Sequence, residues 1–327
     1  MKAVVLLSGG LDSSLALKIM LDQGIEVVAL HLVSLFCQCD GSRGCGSASE
    51  KISSTLGVAL KTSFMGEDYL AMLKHPRHGY GKNLNPCIDC RILKFKYAKK
   101  LMEEVGASFV VTGEVLGQRP MSQYKRAMQC IEKESGLEDL VLRPLSAKVL
   151  EPTRPEREGW VDREALFDFQ GRTRKPQIQL AEDIGIHDYP CPAGGCLLTD
   201  KRFCDRMRDL IAHDTMTLDD IIFIKTGRYF RITPDFRLTV GRDEGENEKL
   251  LRLRKNGDIV FIPASLPGPT AIGRGICTED IKTTCAQIVA WYTDRNQNVD
   301  VSIKENNNET TVSVKSIADD DLEKVRV

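Results

Sequence analysis

Long apolar runs are missing from this sequence. No window approaches the roughly 20 consecutive apolar residues that a membrane-spanning helix needs, and the apolar opening Ala3-Val4-Val5-Leu6-Leu7 is broken at Ser8, too soon for a secretory signal. These absences predict a cytoplasmic chain with no membrane partner. Excess charge is missing as well: 45 Lys and Arg stand against 46 Asp and Glu, a net charge of −1. That excludes a uniformly basic nucleic-acid coat but leaves local patches open. Internal repeats are absent, and low complexity is confined to Asn306-Asn307-Asn308. What remains is ordinary globular composition, 42% hydrophobic and 28% charged over 327 residues, enough for two or three domains with their own cores.

The stretch Ser8-Gly9-Gly10-Leu11-Asp12-Ser13-Ser14 follows that apolar opening and precedes the periodic Leu15, Ala16, Ile19 and Met20. The pattern predicts buried strand, tight turn and helix. Such a turn is an anion site. Gly9 and Gly10 admit close backbone approach, and the first amides of the helix point outward on the positive end of its dipole. Ser8, Ser13 and Ser14 add hydroxyls, and Asp12 suits a phosphate cradle only with Mg2+ between. A nucleoside triphosphate with its metal is therefore expected here. The turn has neither the Gly-Lys-Ser/Thr ending of a Walker loop nor the G-x-G-x-x-G spacing of a dinucleotide turn.

Further on, a strand at 25–33, a helix at 46–56, a strand at 58–64 and a strand at Ser108–Gly113 alternate as in βαβ units. They predict an α/β fold, a parallel sheet with flanking helices, with Ser8 and Gly113 at carboxyl ends facing one crevice. Lys74 to Lys100 carries eight basic residues against Asp89 alone, which reads as a solvated helix face or as a phosphate-backbone contact surface. Residues 141–176 read as a connector with short helices, followed by helices at 175–184 and 201–213. From about Ile221, short strands, Gly/Pro turns, one helix at 279–292 and a closing hairpin around the Asn run predict a smaller α+β domain. The expected domains are 1–150, 151–220 as a connector, and 221–327.

Eleven cysteines in a reducing compartment do not suggest a disulfide framework, so their spacing carries the information. Cys87-Ile88-Asp89-Cys90 stands at a predicted helix start, where the dipole favours thiolate, and Cys191 and Cys196 lie far along the chain. Two thiols on one turn plus a distant third can hold three irons of a 4Fe-4S cluster, bind zinc, or form a redox dithiol. Cys37-x-Cys39-x5-Cys45 has metal-like spacing but no companion His beyond His31, and reads as loop thiols. Cys130, Cys204, Cys277 and Cys285 read as core packing.

The Ser8–Ser14 string resembles the SGGxDS signature of the PP-loop, or N-type, ATP pyrophosphatases, which cleave ATP to AMP and pyrophosphate while adenylating a substrate. Asn85-Pro86-Cys87-Ile88-Asp89-Cys90 resembles the segment carrying the catalytic cysteine of bacterial tRNA 2-thiouridylases, and places it on Cys90. Pro192-Ala-Gly-Gly-Cys196 resembles the segment carrying their second cysteine. Thr112-Gly113-Glu114-Val115-Leu116-Gly117-Gln118 is similar to the TGExLGQ of tRNA 4-thiouridine synthetases. Cys87 departs from the 2-thiouridylase pattern, which has Asp there, and matches the iron-sulfur-dependent tRNA thiolases. Residues 238–250, 258–260 and 267–270 resemble the RNA-binding domain of the NFACT proteins, although 221–260 is only mildly basic, at +3.

These resemblances imply an adenine nucleotide alpha hydrolase-like domain that binds ATP and Mg2+ through Ser8, Gly9, Gly10, Asp12, Ser13 and Ser14, with Thr112, Gly113, Glu114 and Gln118 at adenylate or substrate. They imply catalytic Cys90, Cys196 and Asp12, and a 4Fe-4S cluster on Cys87, Cys90 and Cys196, with Cys191 as a substitute for Cys196. The implied activity is ATP-dependent tRNA uridine thiolation. Sulfur would come from the cluster's open iron or from a persulfide on Cys196 resolved by Cys90. Implied partners are tRNA, a sulfur donor (sulfide or a cysteine desulfurase-type carrier) and a second copy of the chain. The 4-thiouridine synthetases carry an RNA-binding region ahead of the PP-loop; this sequence opens at the loop, so any RNA module is expected downstream. The alternatives are an amide-forming PP-loop synthetase, which would leave the paired cysteines idle and for which no glutaminase-like domain is evident, and an RNA-binding protein with a vestigial nucleotide site.

Overall fold

The computed structural model describes residues 1–37, 45–186, 189 and 195–327, in two compact units, Met1–Thr199 and Asp200–Val327. Cys39 and Cys191 lie outside the described residues, and of Cys45 only the backbone is described. The stretch at 151–220 is divided between the units, with Cys196 in the first.

The first unit runs β1 (Lys2–Leu6), α1 (Leu11–Asp22), β2 (Glu26–Val33), α2 (Cys45–Thr55), β3 (Ala59–Phe64), α3 (Glu67–Lys74), α4 (Cys87–Glu104), β4 (Phe109–Thr112), α5 (Lys125–Ser135), β5 (Val141–Leu142), α6 (Arg154–Arg157) and α7 (Lys175–Asp183). Its sheet is parallel throughout, in the order β3-β2-β1-β4-β5. β1 is central, and its alternate side chains serve two cores. Ala3, Val5 and Leu7 join α1 and α7 on one face, while Val4 packs with Ile92, Phe95 and Ala98 of α4 and Ile131 of α5 on the other. Burial on both faces is why β1 reads as a continuous apolar run instead of an alternating one. β5 is a two-residue strand that falls inside the stretch expected to be connector, because two apolar residues carry no period.

The strand order reverses between β1 and β4, whose carboxyl ends therefore open the crevice where ligands bind in such sheets. The register sets Leu6 beside Thr112, so the loops after both strands leave the sheet side by side.

The second unit begins with α8 (Lys201–Ala212) and α9 (Leu218–Lys225), then β6 (Arg228–Thr233), β7 (Phe236–Val240), α10 (Glu244–Arg252), β8 (Ile259–Pro263), β9 (Ala271–Gly275), α11 (Glu279–Thr293), β10 (Val299–Glu305), β11 (Asn308–Val314) and α12 (Asp319–Val325). Its six strands pair antiparallel in the order β11-β10-β8-β9-β7-β6. Cys285, Ala286, Ile288, Val289 and Ala290 of α11 supply one side of a core whose other side is Phe230, Phe236, Leu238, Phe261 and Val301. The hairpin turn holds Asn306 at φ 50°, a left-handed value that Asn tolerates better than most residues. The α+β expectation holds, although α10 and β9 gave no distinct periodic signal. No helix among the described residues is long and apolar enough to cross a membrane.

Candidate active site

The loop after β1 is shaped by its own hydroxyls. Gly9 turns the chain at φ 75°, and Gly10 is the N-cap of α1 with no side chain to cap it. The first amides of α1 therefore keep their capacity for an anion. Ser13 Oγ donates to the Gly10 carbonyl at 2.8 Å and accepts from the Ser8 amide at 3.2 Å, while Ser14 Oγ donates to the same carbonyl at 3.2 Å. Both serines are buried, so their hydroxyl protons hold the turn, and the exposed Ser8 is the outward hydroxyl. Behind the loop, buried His31 sets Nδ1 2.9 Å from the Leu7 carbonyl and 2.9 Å from Ser49 Oγ, fixing the end of β1.

Asp12 sits in the first turn of α1. Gln118 Nε2 donates to its Oδ2 at 3.0 Å, and Arg174 Nη2 stands 3.8 Å from its Oδ1. Oδ1 is buried and has no hydrogen bond. Burial raises the Asp12 carboxyl above its ordinary value, despite the Gln118 hydrogen bond and the nearby Arg174 and Arg119. A cation beside Oδ1 would remove that cost, so the donor set fits a divalent metal.

Gly113 has to be glycine for steric reasons. A Cβ there would lie 2.4 Å from the Asp12 carbonyl carbon and oxygen and 2.5 Å from the Ser13 amide nitrogen. The loop after β4 thus lies against the start of α1, and Gln118 reaches back to Asp12. Glu114, expected at the ligand, is instead 2% exposed and held by Arg143 Nε at 3.0 Å, Arg91 Nε at 3.3 Å and Thr112 Oγ1 at 3.3 Å. Burial favours its neutral form, and the two guanidiniums overcome that, leaving the carboxyl below its usual range. Its place is to tie α4, through Arg91, to the strand end.

The cysteines gather around Tyr69. Cys87 and Cys90 lie one turn apart at the start of α4, on one helical face. Cys196 is brought alongside by the chain after residue 194: its backbone bridges that of Cys37, Leu197 N donates to the Phe36 carbonyl at 2.8 Å, and Leu84 N donates to the Leu198 carbonyl at 3.2 Å. Tyr69 is buried, bonded to Cys90 and close enough to Cys196 and Cys87 to feel their charge. Its ring also packs at 5.1 Å on Phe36. Burial, with these sulfurs, holds the phenol well above its usual range.

Two thiols depart from the expected activation. Burial pushes Cys196 up to about 11, and Lys94 nearby does not offset it. Burial also raises Cys87, with Cys90 adding to the rise and Arg119 and Arg91 opposing it. The dipole at the start of α4 was expected to favour thiolate. Desolvation wins at Cys87, because the apolar surroundings cost a thiolate more than a half-charge at the helix end returns. Thiols held neutral are poor nucleophiles and good metal ligands once a cation replaces the proton.

Arg119 links the two halves. It lies close enough to Asp12, Glu114, Cys87 and Arg91 to respond to their charges. Burial among these groups, with Arg91 nearest in effect, lowers its pKa. Tyr69, Arg91, Arg119 and Arg174 were not singled out from the sequence for any role beside these groups. Arg119 directly follows the Thr112–Gln118 string, which was the available signal; Tyr69 had none.

The basic stretch from Lys74 to Lys100 divides on inspection. Arg91 and Arg77 are spent on Glu114 and Glu134, whereas Lys82, Lys96 and Lys100 are exposed. Among the other cysteines, Cys204 and Cys285 are core, but Cys130 and Cys277 are partly exposed, contrary to expectation. On α5 the buried side is Ala127, Met128 and Ile131, and Cys130 falls off that face.

Comparison with known proteins separates the same two regions. Residues 1–149 match the family model of the thiamine biosynthesis protein ThiI, and residues 227–326 match the NFACT protein RNA binding domain. The tRNA-specific 2-thiouridylase MnmA of Marinobacter nauticus is 25% identical over 64% of this chain and 54% of its own length. A probable tRNA sulfurtransferase of Thermococcus kodakarensis is 29% identical over 44% of this chain and 36% of its own. The chain thus spans about half the length, or less, of these curated relatives. A solved 4-thiouridine synthetase–RNA complex with bound ATP aligns with 64% of this chain and 50% of that one, at 22% identity and a TM-score of 0.41. The chain therefore joins a region matching the ThiI family, in the PP-loop group its first loop resembles, to a region matching the NFACT RNA-binding domain.

Proposed function

We propose that this chain is a cytoplasmic, ATP-dependent tRNA sulfurtransferase that replaces a uridine carbonyl oxygen with sulfur. The observation that carries the reading is the loop after β4, which reaches Asp12 through Gln118 at 3.0 Å and the start of α4, next to Cys90, through Glu114 and Arg91 at 3.3 Å, so that the phosphate-binding turn and the thiols border one loop. The match to the NFACT RNA binding domain, with relatives named as a tRNA 2-thiouridylase and a tRNA sulfurtransferase, supports a nucleoside within RNA as the substrate class.

Oxide cannot leave from a uridine carbonyl, so the oxygen is first made into a leaving group. The uncapped amides of α1, Gly9, Gly10 and Ser8 hold the ATP phosphates, Asp12 Oδ1 meets Mg2+, and Gln118 fixes the Asp12 carboxylate. The carbonyl oxygen attacks the α-phosphorus and pyrophosphate departs. A sulfur nucleophile then adds to the ring carbon, and AMP carries the oxygen away. Arg119, between the two halves, is placed to bear the charge of that departing phosphate.

Cys87, Cys90 and Cys196 are the residues that would hold a 4Fe-4S cluster, which would supply an iron free to carry sulfide. The fit rests on the donor set: three cysteines gather around Tyr69, and burial disfavours thiolate at Cys87 and Cys196, which suits ligands better than free nucleophiles.

The test is anaerobic incubation of the protein with ATP, unmodified tRNA and sulfide, reading pyrophosphate and nucleoside masses. Pyrophosphate release with a uridine gaining 16 mass units, about the difference between sulfur and oxygen, is the expected result, with the mass gain lost in Cys90→Ala while pyrophosphate release persists. Pyrophosphate release with no thiolated nucleoside would move the reading to a PP-loop synthetase; neither product would leave an RNA-binding protein.

A further inference from the structure

A second metal-ligating group lies apart from the cysteines around Tyr69. His78 stands in the segment between α3 and α4, and Cys130 and Glu134 stand one turn apart on α5. Their ligand atoms lie within 4.8 Å of one another, the single such set of three among the described residues. His78 Nε2 is 3.1 Å from Glu134 Oε1, Cys130 Sγ is 3.6 Å from Glu134 Oε1, and Cys130 Sγ is 4.0 Å from His78 Nε2.

These separations are close to those around a tetrahedral ion. Bonds of about 2.0 to 2.3 Å put neighbouring ligand atoms roughly 3.3 to 3.6 Å apart, so each observed distance is within about 0.5 Å of its target. The supporting contacts are also in place. Arg77 Nη1 holds the other carboxylate oxygen, Glu134 Oε2, at 3.1 Å, leaving Oε1 for a ligand role. Buried Asp89 accepts the backbone N–H groups of Arg77 and His78, each at 3.0 Å, and so fixes the segment that presents the imidazole. The His78 and Glu134 side chains keep 22% and 23% of their exposure, enough for an ion to enter and for water to take the fourth position.

We propose that His78, Cys130 and Glu134 bind a zinc-class divalent cation, which ties the segment leading into Cys87 to α5. The charges balance. Cys130 gives up its thiol proton, His78 binds through Nε2 as neutral imidazole with its proton on Nδ1, and Glu134 enters as carboxylate, so a dication is neutralised by two anionic ligands. Mixed His, thiolate and carboxylate donors suit Zn2+ or Co2+ over Mg2+ or Ca2+. The set has three protein ligands and belongs to a different face of α5 from its core side chains, which explains why Cys130 is not packed inward.

The experiment uses the full chain with Co2+ as probe, in a Cys87→Ser/Cys90→Ser/Cys196→Ser background that removes the three thiols around Tyr69. The expected result is one equivalent of cobalt with a thiolate-to-cobalt charge-transfer band, both absent after Cys130→Ser or His78→Ala. Arg77→Ala, which releases Glu134 from outside, should weaken cobalt binding about tenfold. Cobalt stoichiometry and the charge-transfer band unchanged by Cys130→Ser would overturn the site and leave a proton-bonded cluster. If the background chain does not fold, zinc and iron are counted on the chain with its natural cysteines. Loss of one zinc equivalent at constant iron in Cys130→Ser supports the site, and no loss overturns it.

Discussion

Asp220 in the second unit and Asp12 in the first are both largely removed from water, and they are treated in opposite ways. Asp220 accepts from Arg237, from Arg274 at 3.0 Å and from Thr217 at 2.6 Å, and Arg274 is in turn held by both oxygens of Asp258 at 2.8 Å. That network is closed around its carboxylates. Asp12 has one hydrogen bond, a guanidinium at 3.8 Å, and a buried oxygen with nothing on it. A carboxylate with every oxygen matched holds a fold together, whereas one left short of partners in a crevice marks where a ligand's charge belongs.

The comparison can be broken at Asp220. Asp220→Ala strands the buried Arg237 guanidinium, while Arg274 keeps Asp258, and should cost about 3 kcal/mol of unfolding free energy, read as a lower denaturant midpoint; a change under about 1 kcal/mol would show that the network is not structural. The thiols provide the next largest effect. With its thiol near 11 against an ordinary 9.0, metal-free Cys196 should alkylate about 100-fold more slowly at pH 8 than an unburied cysteine, and its rate should climb until pH reaches about 11. Peptide mapping after timed iodoacetamide exposure measures this, and a rate that levels off near pH 9 contradicts it.

Gly113→Ala would drive a methyl group into the Asp12 backbone, for about 1 to 3 kcal/mol in stability together with loss of ATP binding by calorimetry. Unchanged ATP affinity would mean that the loop after β4 does not set the shape of the phosphate turn.

Asp12→Asn gives the smallest stability effect and the opposite sign. The Asp12 carboxyl is raised in the fold, so its ionisation opposes folding at neutral pH and the cost disappears as pH falls below the ordinary carboxylate value of about 3.9. The variant should therefore melt slightly higher than the parent at pH 7, match it near pH 3, and release no pyrophosphate. A lower melting temperature at pH 7 would put Asp12 with Asp220 as a structural carboxylate.

Much of this was legible in the order of residues, and the omissions have physical causes. Ser8–Ser14 was readable because strand, turn and helix are local, and its glycines meet requirements set within seven residues. The outward role given to Ser13 and Ser14 was not, because a hydroxyl's partner depends on how tightly the turn closes. Cys87 and Cys90 could be read as a pair, but the raised pKa of the Cys87 thiol is decided first by burial, which depends on what other elements pack over it. Glu114 sat within a resembling string and yet faces Arg91 and Arg143, 23 residues before it and 29 after. Cys130 was misread since it sits at the edge of the narrow stripe Ala127, Met128 and Ile131 on an otherwise charged helix, where the side it joins depends on what packs there.

Cys196 reaches its place through main-chain pairing: its bridge to Cys37, Leu197 to Phe36 and Leu84 to Leu198. Those tethers depend little on which side chains the partners carry. The distal sulfur is thereby located by the backbone on either side of it, whereas the spacing of Cys87 and Cys90 is set by a single turn of α4.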